Sequence, residues 1–244
     1  MGYIEWKEWD HVVAFTTDRK DGFSKGKFAS FNQAYQVGED PDVVLKNREK
    51  LCRDHGLEMD HLVTVFQQHT DEIRKVTLKD GGAGAHSFES GIGPCDALYT
   101  FEKGLALGIF HADCVPAFLY APKYGLVGIV HAGQKGTLKK ILYKSISYLV
   151  REEHIDPQDL YVHFGPALSF QHCILEEDPK AFIQRQGEEF AMGVKATNGI
   201  VFLDVPLLNR LQAIEAGVPA SHITMSELCT YENEDLLYSF SRDH

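Results

Sequence analysis

Three side chains of this 244-residue chain stand where short apolar runs end, and their types suit a single metal ion. His69 follows Leu62-Val-Thr-Val-Phe66, Cys114 lies in His111-Ala-Asp-Cys-Val-Pro116, and His131 lies in Val130-His-Ala-Gly-Gln-Lys-Gly-Thr137. Two neutral imidazoles and a thiolate form a zinc site with an open fourth position, where the pKa of water falls toward about 7, as hydrolytic or deaminating chemistry requires. The intervals of 45 and 17 residues match no short zinc motif, so two other readings stand beside this one. Cys114 also fits a buried thiol, with His69 and His131 hydrogen-bonded in loops. A further reading is a metal-free Cys114 nucleophile activated by His131.

Around the donors lie groups suited to an anionic substrate. Gly133-Gln-Lys-Gly136 opens a helix, where glycines permit close backbone approach and free N–H groups attract phosphate; Lys135 adds a positive charge. The same glycines fit ordinary turn chemistry. Arg48 offers a guanidinium fork for phosphate oxygens. Ser30 and Asn32 could hydrogen-bond a ribose or a base, and they fit ordinary turns as well. Asp113 is a candidate proton carrier, although on a strand its side chain would face away from that of Cys114.

The elements that must position these groups are legible as alternating runs. The spacing predicts a strand over 12–16, a long polar loop to Glu39, and a helix N-capped by Asp40 with Pro41 at its first position, ending by Gly56. Short β-rich runs follow at 62–66, 72–78, 96–100, 104–110, 115–120 and 125–131. After His131, apolar residues at 138, 141, 142, 146, 149 and 150 recur at helical spacing, so one helix is expected from Gly133 to Val150. A strand at 159–164, a helix opened by Asp178-Pro179, a strand at 199–203 and a helix from Val205 to Glu215 complete the pattern. The expected architecture is an α/β (α+β) sandwich with central mixed β-sheets flanked by helices, in a single domain over residues 1–244.

A formal charge of -11 with no basic cluster longer than Lys139-Lys140 makes nucleic acid a poor partner. No run approaches the roughly 20 apolar residues of a membrane helix, and the first residues lack the order of a secretory signal, so a cytoplasmic location is expected. Five cysteines without a Cys-x-x-Cys spacing indicate reduced thiols rather than disulfides.

The chain resembles the laccase-domain, or multicopper polyphenol oxidase-like, family of zinc-dependent purine nucleoside phosphorylases. The resemblance rests on Thr16-Thr-Asp-Arg19, Gly22-Phe-Ser24, Phe28-Ala-Ser-Phe-Asn32, Asn47-Arg48, Gln68-His69, Cys95-Asp-Ala-Leu98, Ala112-Asp-Cys-Val-Pro116, His131-Ala-Gly133, Gly165-Pro-Ala167 and Cys229-Thr230 before Ser241-Arg-Asp243. It implies zinc ligands at His69, Cys114 and His131 and a fold similar to certain bacterial cysteine-hydrolase toxins. The implied activities are phosphorolysis of adenosine, inosine, guanosine and methylthioadenosine, and deamination of adenosine. A true laccase needs clustered copper ligands, often as His-x-His pairs, and the sequence has none, though an imidazole–thiolate site could acquire copper adventitiously. Three departures bear on substrate preference: Gln134 where Trp is common, His111 where Thr is usual, and Thr70 in place of Gly. His111 is a hydrogen-bonded strand residue, a pocket-lining group or a competing ligand, and as a fourth ligand it would suit a non-catalytic zinc-binding protein.

Overall fold

The computed structural model describes residues 3–6, 8, 9 and 11–243. Strand β1 (Tyr3–Glu5) pairs antiparallel with β2 (Phe15–Thr17), and a loop leads to α1 (Pro41–Asp54). The Asp40 carboxylate accepts from Asp42 N, Pro41 occupies the first turn, and Gly56 at φ 64 ends the segment. Five strands come next without an intervening α-helix: β3 (Leu62–Thr64), β4 (Ile73–Lys75), β5 (Ala97–Thr100), β6 (Ala106–Gly108) and β7 (Val115–Ala121). β8 (Leu126–Ala132) follows a tight turn, then α2 (Gln134–Leu138), α3 (Ile141–Glu152) and β9 (Tyr161–Phe164). The remainder is α4 (Pro179–Gln186), β10 (Val194–Thr197), β11 (Ile200–Leu203), α5 (Val205–Glu215), β12 (Ile223–Met225) and α6 (Phe240–Asp243).

The centre is a six-stranded mixed sheet in the order β12-β9-β7-β8-β5-β4, with β12–β9 and β5–β4 parallel and the inner pairs antiparallel. β3 and β6 pair in parallel, and β10 and β11 form a hairpin. All seven residues of β7 are buried, because the sheet is covered on both faces. Val115, Ala117, Leu119 and Ala121 face Ile141, Leu142, Ile146 and Leu149 of α3 and Leu208 and Ala213 of α5. Phe118 and Tyr120 point the other way, toward Val63, Val65, Val76 and Trp6. The period-2 alternation therefore feeds two cores, one under helices and one under the smaller strands. Among the described residues no helix is long and apolar enough to cross a membrane.

The helix expected over 133–150 is two helices. Lys140 adopts a left-handed conformation (φ 60, ψ 42) between α2 and α3. Two buried amides of α5 seize the break: Asn209 Nδ2 donates to Thr137 Oγ1 and Gln212 Nε2 donates to the Thr137 carbonyl, both at 2.8 Å. Continuous apolar spacing cannot report a cap supplied from 70 residues away. Strands β1, β10 and β12 were not anticipated; they are short and half-exposed, so their alternation is faint.

Candidate metal centre

Strand register builds the site. β7 and β8 pair with Val115 opposite Ala132, so Cys114, just before β7, arrives level with Gly133. β5 and β8 pair with Ala97 opposite Val130, which sets Asp96 beside His131; His131 N donates to the Asp96 carbonyl at 2.7 Å. His69 comes from the loop after β3, with its backbone at φ 55. The result places one ligand atom from each of His69, Cys114 and His131 within 4.8 Å of the others, with His69 Nε2 4.0 Å from Cys114 Sγ. His69 is exposed, Cys114 half-buried and His131 buried.

Asp96, fully buried, organises this cluster. One carboxylate oxygen accepts from His69 N (3.0 Å) and His131 Nδ1 (2.8 Å). The other accepts from Gln68 N (3.2 Å), Thr70 N (2.6 Å) and Thr70 Oγ1 (2.9 Å). Burial opposes its ionisation, yet the bonds from His131 and Thr70 prevail and hold its pKa below the ordinary carboxylate value. An ionised Asp96 fixes the proton on His131 Nδ1 and leaves Nε2 as the lone-pair donor, the carboxylate–histidine arrangement found behind metal ligands. In the sequence Asp96 is visible only as an acid in Cys95-Asp-Ala-Leu98, just before an apolar run, and that pattern does not point to its role.

The same geometry charges the thiol. Burial raises the Cys114 pKa, but hydrogen bonding to His131 and His69 outweighs it and brings the group down to about 6. Burial likewise opposes protonation of His131, and its partners Asp96 and Cys114 raise it to about 9. Without metal, the cluster is thus a thiolate–imidazolium pair. Gly133 completes the cradle, since a Cβ there would lie 2.6 Å from Cys114 Sγ and 3.1 Å from His69 Cδ2. Soft sulfur, two borderline nitrogens, a fixed tautomer and a gap kept clear at Gly133 fit a zinc-type ion.

The remaining candidates are not among the three donors. Arg48 is 1 % exposed: its guanidinium donates to the carbonyls of Gln33, Gly84 and Ala85 and lies between the rings of Tyr35 (4.3 Å) and Phe110 (4.7 Å). Burial brings its pKa to about 10. Gln67 in turn clasps both backbone groups of Phe110, so Arg48 braces the strand end that precedes His111. Ser30 bonds to Gly22 N and the Arg19 carbonyl, and Asn32 to Ala34 and Glu39, within the 18–39 loop. Lys135 is exposed at the start of α2.

His111 does not join the three-donor cluster; its Nδ1 is buried without a partner, and burial, then the nearby His131, lower its pKa to about 4. Asp113 lies on a bend at φ 104 rather than on a strand, and its carboxylate accepts from Thr230 Oγ1 and Ser241 N, both at 2.7 Å. A cleft of about 420 Å³ between Arg74, Tyr143, Lys144 and Arg151 contains none of the three donors, so donor chemistry rather than volume marks the site.

Residues 13–244 match the family described as multi-copper polyphenol oxidoreductase laccase. A purine nucleoside phosphorylase YlmD of Geobacillus stearothermophilus is 39% identical over 236 residues, covering 95% of this chain and 85% of that protein. A namesake from Bacillus subtilis is 32% identical over 233 residues, covering 95% and 84%. Among solved structures, the Bacillus licheniformis hypothetical protein YfiH superimposes with a TM-score of 0.93 at 30% identity, covering 99% of this chain and 91% of its own.

Proposed function

The chain belongs to the family described as multi-copper polyphenol oxidoreductase laccase, and from that premise, with relatives named purine nucleoside phosphorylase, we propose that it is a zinc-dependent purine nucleoside phosphorylase. Its substrates are adenosine, inosine, guanosine or methylthioadenosine with phosphate, and deamination of adenosine at the same centre is part of the proposal. The observation that carries the reading is the Asp96-oriented His131 converging with His69 and Cys114 within 4.8 Å.

Bound by those three side chains, zinc would supply a Lewis acid with an open position. The protein's own groups do the rest. Asp96 holds the Nδ1 proton of His131 and the peptide N–H of His69 on one carboxylate oxygen, so the His131 ring and the backbone that carries His69 are set before a ligand arrives. Phosphorolysis exchanges the ribose C1'–N9 bond for a C1'–O bond to phosphate through a transition state with oxocarbenium character, so the phosphate must be held against the sugar. Lys135, exposed two residues after Gly133, supplies that charge. Ser30 and Asn32 stay candidates for hydrogen bonds to ribose or base, while the Arg48 guanidinium is engaged by three backbone carbonyls. A multicopper reading is disfavoured, because the described residues hold two groups of three possible metal donors and the sequence has no His-x-His.

One observation favours a second reading. The thiolate of Cys114, His131 and Asp96 stand in the order of a nucleophile–base–orienter triad, as a cysteine hydrolase without metal would use. Metal analysis of protein purified without added metal, followed by chromatography of inosine with and without phosphate, separates the two. Free base should form only with phosphate and should stop on chelation. Base release that persists without phosphate or after chelation would sink the phosphorylase reading, and ammonia from adenosine reads deamination independently.

A further inference from the structure

A second cluster of donors lies where the Cys229 segment crosses the turn at 169–172. His172 ends the short turn Phe170–His172, and Cys229 and Glu232 flank the Thr230-Tyr231 bend. One ligand atom from each lies within 4.8 Å of the others. The imidazole of His172 is stacked on Tyr231, with centroids 4.1 Å apart and planes 13° from parallel, which fixes its direction; its Nε2 is 2.9 Å from Glu232 Oε1. Cys229 is 5 % exposed, and Ser169 N donates to its Sγ at 3.4 Å, which fixes the sulfur beside the 169–172 turn. Thr230 N bonds to the Ala167 carbonyl and Asn233 to the Cys229 carbonyl, so the backbone carrying the thiol is locked. The Ser169 hydroxyl, on the residue that reaches Cys229, is buried without a partner.

We propose that His172, Cys229 and Glu232 form a second divalent-metal site of the imidazole–thiolate–carboxylate type, suited to zinc-type ions and separate from the centre at His69, Cys114 and His131. One sulfur and one nitrogen exclude magnesium and calcium, which take oxygen donors. Bonds of about 2.0–2.3 Å require the donors to close in slightly, and the exposed Glu232 side chain has room to swing inward. Binding exchanges the Cys229 S–H bond for a sulfur–metal bond and releases the proton to solvent, with no change of oxidation state. The ion would clamp the 229–232 bend to the 169–172 turn.

The test uses the full chain, stripped with a chelator and titrated with cobalt(II), whose bond to thiolate gives a near-ultraviolet charge-transfer band. In Cys114→Ser, which removes sulfur from the first centre, the band should persist with one cobalt per chain. It should vanish in Cys114→Ser combined with Cys229→Ser. Zinc stoichiometry of the unaltered protein decides the matter without relying on those variants: two equivalents per chain are expected. Glu232→Ala, at an exposed position, should weaken the second equivalent at least about tenfold in competition with a chromophoric chelator. A single equivalent in the unaltered protein, a folded Cys114→Ser protein without the band, or zinc binding unmoved by Glu232→Ala would overturn the assignment.

Discussion

Replacing Asp96 by Asn keeps the shape of the side chain and removes the one group that five donors share. The amide has a single carbonyl oxygen, so its NH2 must face one side of the present carboxylate. If it faces His69 N and His131 Nδ1, now 3.0 and 2.8 Å from the carboxylate, the imidazole tautomer is no longer fixed and Nε2 can carry the proton. If it faces Gln68 N and Thr70 N instead, two backbone N–H groups lose their acceptor, at about 1–3 kcal/mol each. Either orientation has a measurable cost. We expect zinc affinity to fall about 10–100-fold, about 1.4–2.8 kcal/mol, or the metal-free protein to lose roughly 2–6 kcal/mol of stability. Competition with a chromophoric chelator measures the first, and denaturant unfolding of metal-free protein measures the second. An Asp96→Asn protein unchanged in both would refute the idea that this carboxylate organises the centre.

Gly133→Ala should weaken metal binding about tenfold or more, because its Cβ would press on Cys114 Sγ and His69 Cδ2; calorimetric titration reads the effect. Arg48→Met should destabilise the fold by about 2–4 kcal/mol, since three carbonyls lose a buried donor, whereas Lys135→Ala should raise the KM for phosphate and leave Tm unchanged; the opposite pattern would exchange their roles. In metal-free protein, iodoacetamide should modify Cys114 at a rate that holds above about pH 6 and falls below it, because the depressed pKa keeps the thiolate down to that point; Asp96→Asn should move the fall to higher pH. His163, packed near Trp6 and Phe118, has its pKa lowered to about 4 by burial. Unfolded chains therefore bind more protons than the native state between about pH 6.5 and about pH 4, and stability should drop as pH falls through that window. His163→Gln should flatten the drop in thermal melts.

The sequence by itself determined the parts whose physics is local. Asp40-Pro41 and Gly56 bound α1, Val205 to Glu215 is a helix end for end, and the apolar runs at 115–120 and 125–131 form the central hairpin within a residue. It also marked the donors, because His69, Cys114 and His131 terminate apolar runs and rigid strand ends are where a site can be held.

Tertiary structure decided what depends on register and on distant caps. Asp96 gains its role only because β5 pairs with β8 at the register that sets it beside His131, and nothing in a linear pattern specifies which strands become neighbours. Arg48 is a phosphate candidate by its guanidinium fork, and only the fold shows that fork engaged by three backbone carbonyls and two aromatic rings brought from separate segments. The break at Lys140 was invisible for the same reason, since Asn209 and Gln212 satisfy Thr137 across 70 residues of chain. Local periodicity chooses helix or strand, while hydrogen bonds between remote segments choose where each ends and which polar group backs the candidate metal centre.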